Sequence, residues 1–309
     1  MEKKLKLISI TLWSIIAISL SIYLIYVIKN NTGSFKFNQI NFGSSSESSK
    51  KDYSASLDGV DQIKLDLVSY DVVVYPSDDK ELKVIQYSSQ EIGEDDKLII
   101  SKDGDSLSIK EPNKNFSFSF FNFESFTRKV ELYLPKEYVK DLDVNTTSGD
   151  IFIDSDITLT SLDSTQVSGD FTSKNINVDD ISVISTSGDI EIEDVLTKSY
   201  TIKTISGDVN INSISGSGKV GSTSGDIEIE YSDIAEYASL NSVSGDIDII
   251  VPDAISFEFD GNSVSGDIDS DFDLNYKNKN GNKAAIQNGE APYKKIDAST
   301  TSGDINIRK

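Results

Sequence analysis

From about residue 57 onward, apolar and polar residues alternate in short runs, as in Ile63/Leu65/Leu67, Leu142/Val144, Ile181/Val183 and Tyr200/Ile202. A period of two is the signature of strands with one buried face. The runs are punctuated by a triplet, Ser-Gly-Asp, that recurs eight times, with glycines at Gly149, Gly169, Gly188, Gly207, Gly225, Gly245, Gly266 and Gly303. Successive spacings are 20, 19, 19, 18, 20, 21 and 37, so the last gap is about two periods. It contains an Asn/Lys-rich stretch, Tyr276 to Tyr293, that reads as an insertion or a degenerate turn.

Alignment on the glycine shows how each repeat is built. Two residues after it stands Ile, Val or Phe (Ile151, Phe171, Ile190, Val209), and four after it Ile in six of eight cases. Every residue two before it is β-branched, and the residue three before is Ser or Thr except at Gln166. The inward positions are odd before the glycine (−7, −5, −3) and even after it (+2, +4). A straight strand cannot change parity in this way, so the chain must turn or bulge at the triplet. Glycine supplies a positive φ there, and Asp bonds nearby backbone. A unit of about 19 residues cannot bury its own apolar edge, and stacking is the remedy. The pattern predicts an all-β fold, a parallel β-solenoid or β-helix of about 19-residue coils. Ile and Val would fill the interior beside a ladder of Ser/Thr hydroxyls.

Ser69-Tyr70-Asp71, flanked by Ile63/Leu65/Leu67 and Val72/Val74, is a disguised repeat with Tyr in the glycine place. Strands at Leu82–Tyr87, Leu98–Ile100, Leu107–Ile109 and Val130–Leu134 suggest an N-terminal β cap over 56–140, with the repeat domain over 141–309. The C-terminal strand Ile305–Ile307 is expected to be an open edge protected by Arg308 and Lys309.

The first part of the chain differs in kind. Leu7 to Ile28 is 22 residues without a charge, roughly 33 Å as a helix, enough to span a core of about 30 Å. Tyr23 and Tyr26 suit an interfacial position near its far end. Lys3, Lys4 and Lys6 mark residues 1–6 as a cytoplasmic tip and send the rest outside. A cleaved signal peptide would need a shorter apolar region and a small-x-small site, which Tyr-Val-Ile-Lys-Asn-Asn does not offer. The expectation is one transmembrane helix over 7–28 in a bacterial cell membrane, then a Ser-rich linker over 29–55.

Composition narrows the chemistry. The 309 residues hold 51 acidic and 29 basic side chains, a net charge of −22, and no His or Cys. Disulfides, thiolate or His-ligated metals, a Cys nucleophile and a Ser–His–Asp triad are excluded. Nucleic acid would be repelled. Beyond residue 28 the balance is 26 basic to 50 acidic, a net of −24.

The run from Leu57-Asp58-Gly59 through Ser69-Tyr70-Asp71-Val72, Leu132-Tyr133-Leu134-Pro135 and the iterated triplets resembles the bacterial putative-adhesin β-strand-repeat family. That family is a domain of unknown function that includes LiaG-like membrane-anchored envelope proteins. The resemblance covers about 55–309 and implies a surface or envelope-stress role, with no catalytic residues to carry over. The stretch Tyr276–Tyr293 departs from it, because a more Gly-rich closing turn is expected there.

Asp150, Asp170, Asp189, Asp208, Asp226, Asp246 and Asp267 would stack about 4.8 Å apart, each pair repelling by roughly 0.9 kcal/mol in water. One reading is a cation ladder, Ca²⁺ being the candidate. The other is that each Asp folds onto its own turn or faces water. A second feature, the aromatic run 115–123 with Phe126, reads as cap packing or an exposed patch. A glycosidase needs two carboxyls about 5–9.5 Å apart in separate roles, and acids spread over nearly every coil single out no such pair. The reading is a non-catalytic, extracytoplasmic adhesion or scaffold module without a cofactor. Its partners are the membrane through 7–28 and an envelope protein or cell-wall polymer. The alternatives are a polysaccharide-processing β-helix enzyme and a Ca²⁺-binding surface protein.

Overall fold

A computed structural model describes residues 49–112, 127–276 and 282–309. The segment 7–28, expected to span a membrane, lies outside these residues, as do the tip 1–6, residues 29–48 and the aromatic run 115–123 with Phe126. Among the described residues the fold is all-β. The sole helical element there is a three-residue 3-10 turn, Glu94–Asp96, and no helix is long and apolar enough to cross a membrane. Of the expected linker 29–55, Ser49–Ala55 is a strand, antiparallel to Leu82–Ser88.

Successive repeats pair in parallel and in register. Ile151 lies beside Phe171, Phe171 beside Ile190, Ile190 beside Val209, Val209 beside Ile227 and Ile227 beside Ile247. All six are at most 1% exposed. The parity change is real. In the Gly188 repeat Ile181, Val183 and Ser185 are buried before the corner, and Ile190 and Ile192 after it. Each fully buried Ile contributes about 1.5–3 kcal/mol through removal of apolar surface from water. The stack therefore gains stability repeat by repeat. A third extended segment returns the chain, placing Ile157, Ile176, Val195 and Ile214 in line.

The order of repeats in space departs from their order in the chain at both ends. Tyr237–Ser244 pairs with Lys294–Ser302, which in turn pairs with Phe257–Ser265. Likewise Ile305–Arg308 lies between Ile247–Ile250 and Ile268–Ser270. The last repeat is thus inserted ahead of the Gly266 repeat. The expectation that Ile305–Ile307 forms an open edge is corrected, since both of its sides are paired. Arg308 instead holds Asp248 at 2.8 Å. The intervening chain forms Lys283–Asn288, antiparallel to Phe257–Ser265 and covering it. At the other end, Gln62–Leu67 and Asp71–Ser77 lie between the Gly149 repeat and the cap strands Ser106–Lys110 and Arg128–Pro135. Antiparallel strands Ile99–Asp103 and Leu82–Ser88 then line the cap. A terminal repeat buried one layer deep cannot template strand addition.

The glycine of the corner is fixed by proximity as well as by conformation. Gly188 has φ 152°, and a Cβ built on it would lie 2.0 Å from the carbonyl oxygen of Gly169. The same relation links every later corner to the one beneath it, ending with Gly266 on Gly303. Tyr70 heads the column. Its side chain runs into the cap, where its hydroxyl accepts a hydrogen bond from Gln86 at 2.8 Å. Gly188→Ala is expected to cost well above the ~1 kcal/mol of an average substitution, read as a fall in the urea midpoint. Retention of the wild-type midpoint would contradict the close approach.

Candidate functional site

The sequence offered the Ser-Gly-Asp corner as the place where chemistry could gather, and its hydrogen bonds give the aspartate a defined role. The Gly188 N–H donates to the carbonyl of Ser206 in the next repeat (3.0 Å), and the Ile190 N–H to that of Asp208 (2.9 Å). Between them the Asp N–H points the opposite way, toward the preceding repeat. A carboxylate is waiting there. Asp189 N donates to Asp170 Oδ1 at 2.9 Å and Asp208 N to Asp189 Oδ1 at 2.8 Å. The chain of contacts runs from Asp71 through Asp150, Asp170, Asp189, Asp208, Asp226 and Asp246 to Asp304 and then Asp267.

The glycine carbonyl is met from inside the stack. Thr204 Oγ1 donates to Gly188 (3.2 Å), Ser222 Oγ to Gly207 (3.1 Å), Thr300 Oγ1 to Gly245 (3.1 Å) and Ser263 Oγ to Gly303 (2.9 Å). Gln166 replaces the hydroxyl with its amide, donating to Gly149 at 3.3 Å. These residues are the Ser/Thr position three before each glycine, and all are buried. Thr146, Ser185 and Ser242 occupy the same place with their hydroxyls unpartnered.

All seven aspartates named from the sequence therefore fall in one column. Six of them, Asp150 to Asp246, reach across with a carboxylate to the next repeat and not back onto their own turn, while Asp267 ends the column as a donor. Sequence reasoning missed Asp304, which stands between Asp246 and Asp267, because the inserted order is invisible in the chain. Burial raises the pKa of Asp170, as do the charges of Asp150 and Asp189, while the Asp189 N–H opposes them. Asp71 is raised by its own burial and by Asp150, against the Asp150 N–H. Among the described residues no group of three or more acidic side chains is placed to hold a metal ion.

Two further places gather polar side chains. On the cap, the buried carboxylate of Glu131 accepts from Lys129 Nζ (2.6 Å) and Tyr133 OH (3.1 Å). Burial, then the charge of Glu131, pushes the Tyr133 hydroxyl up to about 12. Lys129 also lies 4.7 Å from the ring centroid of Tyr87. The cluster closes on itself and leaves no reactive group exposed. Near the C-terminal hairpin an open groove of about 470 Å³ is lined by Glu258, Asp260, Asp297 and Lys295, among others. Asp260 and Asp297 are register partners. Both are exposed, so their shared environment does not divide acid from base as a glycosidase requires.

The family model described as Toastrack DUF4097 matches residues 60–308. Among solved structures, the chain is similar to a putative adhesin from Bacteroides fragilis, at 14% identity, covering 85% of this chain and 98% of that one with a TM-score of 0.49. It is also similar to a putative lipid binding protein from Parabacteroides distasonis, at 16% identity, 84% and 97% coverage and a TM-score of 0.46. A putative adhesin from the same species gives 15% identity, 85% and 97% coverage and 0.45. No curated protein is detectably similar to the chain.

The hydrogen-bonding role of the column separates two substitutions. Asp189→Ala removes the acceptor for the Asp208 N–H and is expected to cost about 1–2 kcal/mol. Asp189→Asn keeps an oxygen there and relieves like-charge repulsion, so it should stay near the wild type. Chemical denaturation of both variants checks this. Equal losses would contradict the role and point to the charge itself.

Proposed function

The chain belongs to the Toastrack DUF4097 family, and on that premise we propose that it is a membrane-anchored, non-catalytic surface module. In this reading residues 7–28 form a single transmembrane helix with the N-terminus in the cytoplasm. The repeats form a parallel β-solenoid displayed outside, as an adhesion or scaffold surface or as an envelope-stress component acting through protein contact. Its partner is an envelope protein or a cell-wall polymer, and nucleic acid is disfavoured by the net charge of −22.

One observation carries the proposal. The same hydrogen-bonded corner is iterated along the whole stack, and its polar groups are consumed in holding neighbouring repeats together. Such a structure gains length and regularity with each repeat, and among the described residues it gathers no nucleophile, base and oxyanion donor around a common point. Repeat proteins use extended surfaces of this kind for binding. The absence of His and Cys from the chain supports the same reading.

Protease added to intact cells should remove the acidic repeat body, and crosslinking on intact cells should capture it with an envelope component. Protection of the body from external protease until the membrane is opened would contradict the proposal.

A further inference from the structure

The exposed side of the corner carries a second column, two residues before each glycine. In spatial order Val68, Val167, Ile205, Val243 and Val264 occupy every other place, and Thr147, Thr186, Thr223 and Thr301 stand between them. The alternation is unbroken only in space, since Val243 and Val264 are consecutive in the chain and the inserted last repeat puts Thr301 between them. All nine are exposed. The five aliphatic members are 46–63% exposed and make up half of the large hydrophobic side chains left in water among the described residues. Ile184, 41% exposed, stands beside the stripe. A strand in a protein of net charge −22 has little reason to leave isoleucine and valine outside repeatedly at one position. Acidic residues stand instead at the corner and past it, in the aspartate column and at Glu191, Glu193, Glu228, Glu230 and Asp248. On the stripe itself there is no charge, and it is flanked by the exposed serine column of the corners.

We propose that this stripe is a docking track for an extended, uncharged β-1,4-linked glycan, a deepening that rests on the surface-module reading above. Eight steps of about 4.8 Å make the stripe roughly 38 Å long. At roughly 10 Å wide it offers on the order of 400 Å², half of the ~800 Å² per partner that a stable protein interface needs. A second copy of the chain is therefore a poor occupant, and a narrow linear polymer a good one. An extended peptide gains its affinity from an unpaired sheet edge, whereas the backbone here is already paired to the repeats on both sides. The chemistry matches a sugar chain. Aliphatic side chains cover the apolar C–H faces of the rings, while threonine and serine hydroxyls exchange hydrogen bonds with the ring hydroxyls. Successive rings of a β-1,4 glycan are flipped, so the polymer repeats every two sugars. The stripe likewise repeats every two strands, about 9.6 Å. The missing charge admits a neutral polymer without desolvating an ion.

The test is co-sedimentation of the purified full-length chain with chitin and with peptidoglycan sacculi stripped of anionic polymers, against an α-linked glucan. Wild type should pellet with the β-1,4 glycans, at physiological and high salt alike. Ile205→Glu and Thr223→Glu should each weaken pelleting about tenfold, whereas Asn210→Glu, past the corner, should leave it unchanged. No pelleting by the wild type, or equal pelleting by the stripe variants, overturns the track. Doubling of the solution mass, lost in the stripe variants, would also overturn it by assigning the stripe to a second copy. A chain that is digested on intact cells yet binds no glycan refutes the track alone. A chain protected on intact cells refutes the surface reading, whatever it pellets with.

Discussion

The structure depends on how closely the corners of neighbouring repeats approach. The carbonyl of one corner glycine occupies the space in which the next would carry a Cβ, 2.0–2.3 Å from the position such an atom would take. Backbone meeting backbone without a side chain between them is what lets successive repeats keep a ladder through a sharp change of direction. It also turns one peptide out of the ladder, leaving an N–H and a carbonyl to be satisfied by other means. The Asp and the Ser/Thr of the motif provide those means, one from the preceding repeat and one from the next. Glycine and aspartate recur at each Ser-Gly-Asp corner, and a buried hydroxyl or amide meets the glycine carbonyl at five of them.

That solution explains why so acidic a body holds together. Nine carboxylates in a column repel one another, but eight of them accept a backbone N–H, a charge-assisted bond stronger than its neutral counterpart. Burial and neighbouring charge raise the pKa of Asp71 and Asp170, so these two carboxylates are held at a cost at neutral pH. Mild acid relieves that cost at Asp71 and Asp170, because a carboxyl whose folded pKa is raised favours the folded state as pH falls through that value. The interior does the rest, with stacked Ile and Val at each turn of the chain.

Much of this was legible in the residues. The parity change at the triplet required a corner, the buried Ser/Thr position was visible as a ladder, and Tyr70 could be placed at the head of the series from Ser69-Tyr70-Asp71 alone. Other features depend on contacts between distant residues, on which periodicity is silent. The direction of the carboxylates could not be read, because a bond to the same turn and a bond to the next repeat need the same Asp. Nor could the insertion of the last repeat, since a gap of 37 residues is equally two turns in sequence or an excursion and return. Gly218 is a further case. It lies outside any triplet, and the carbonyl oxygen and ring of Tyr200 fill the place of its Cβ. The alternating valine and threonine stripe emerged only once the spatial order was known.

The central claim is that exposed corners are locked by bonds between repeats, and amide hydrogen exchange reads those bonds directly. The N–H groups of Asp189, Asp208 and Asp226 lie at the solvent edge but donate to carboxylates of the preceding repeat at 2.8–2.9 Å. They should exchange about as slowly as the amides of Ile190, Val209 and Ile227 beside them. Exchange at the rate of an unbonded surface loop, with the neighbouring core amides still protected, would contradict the account.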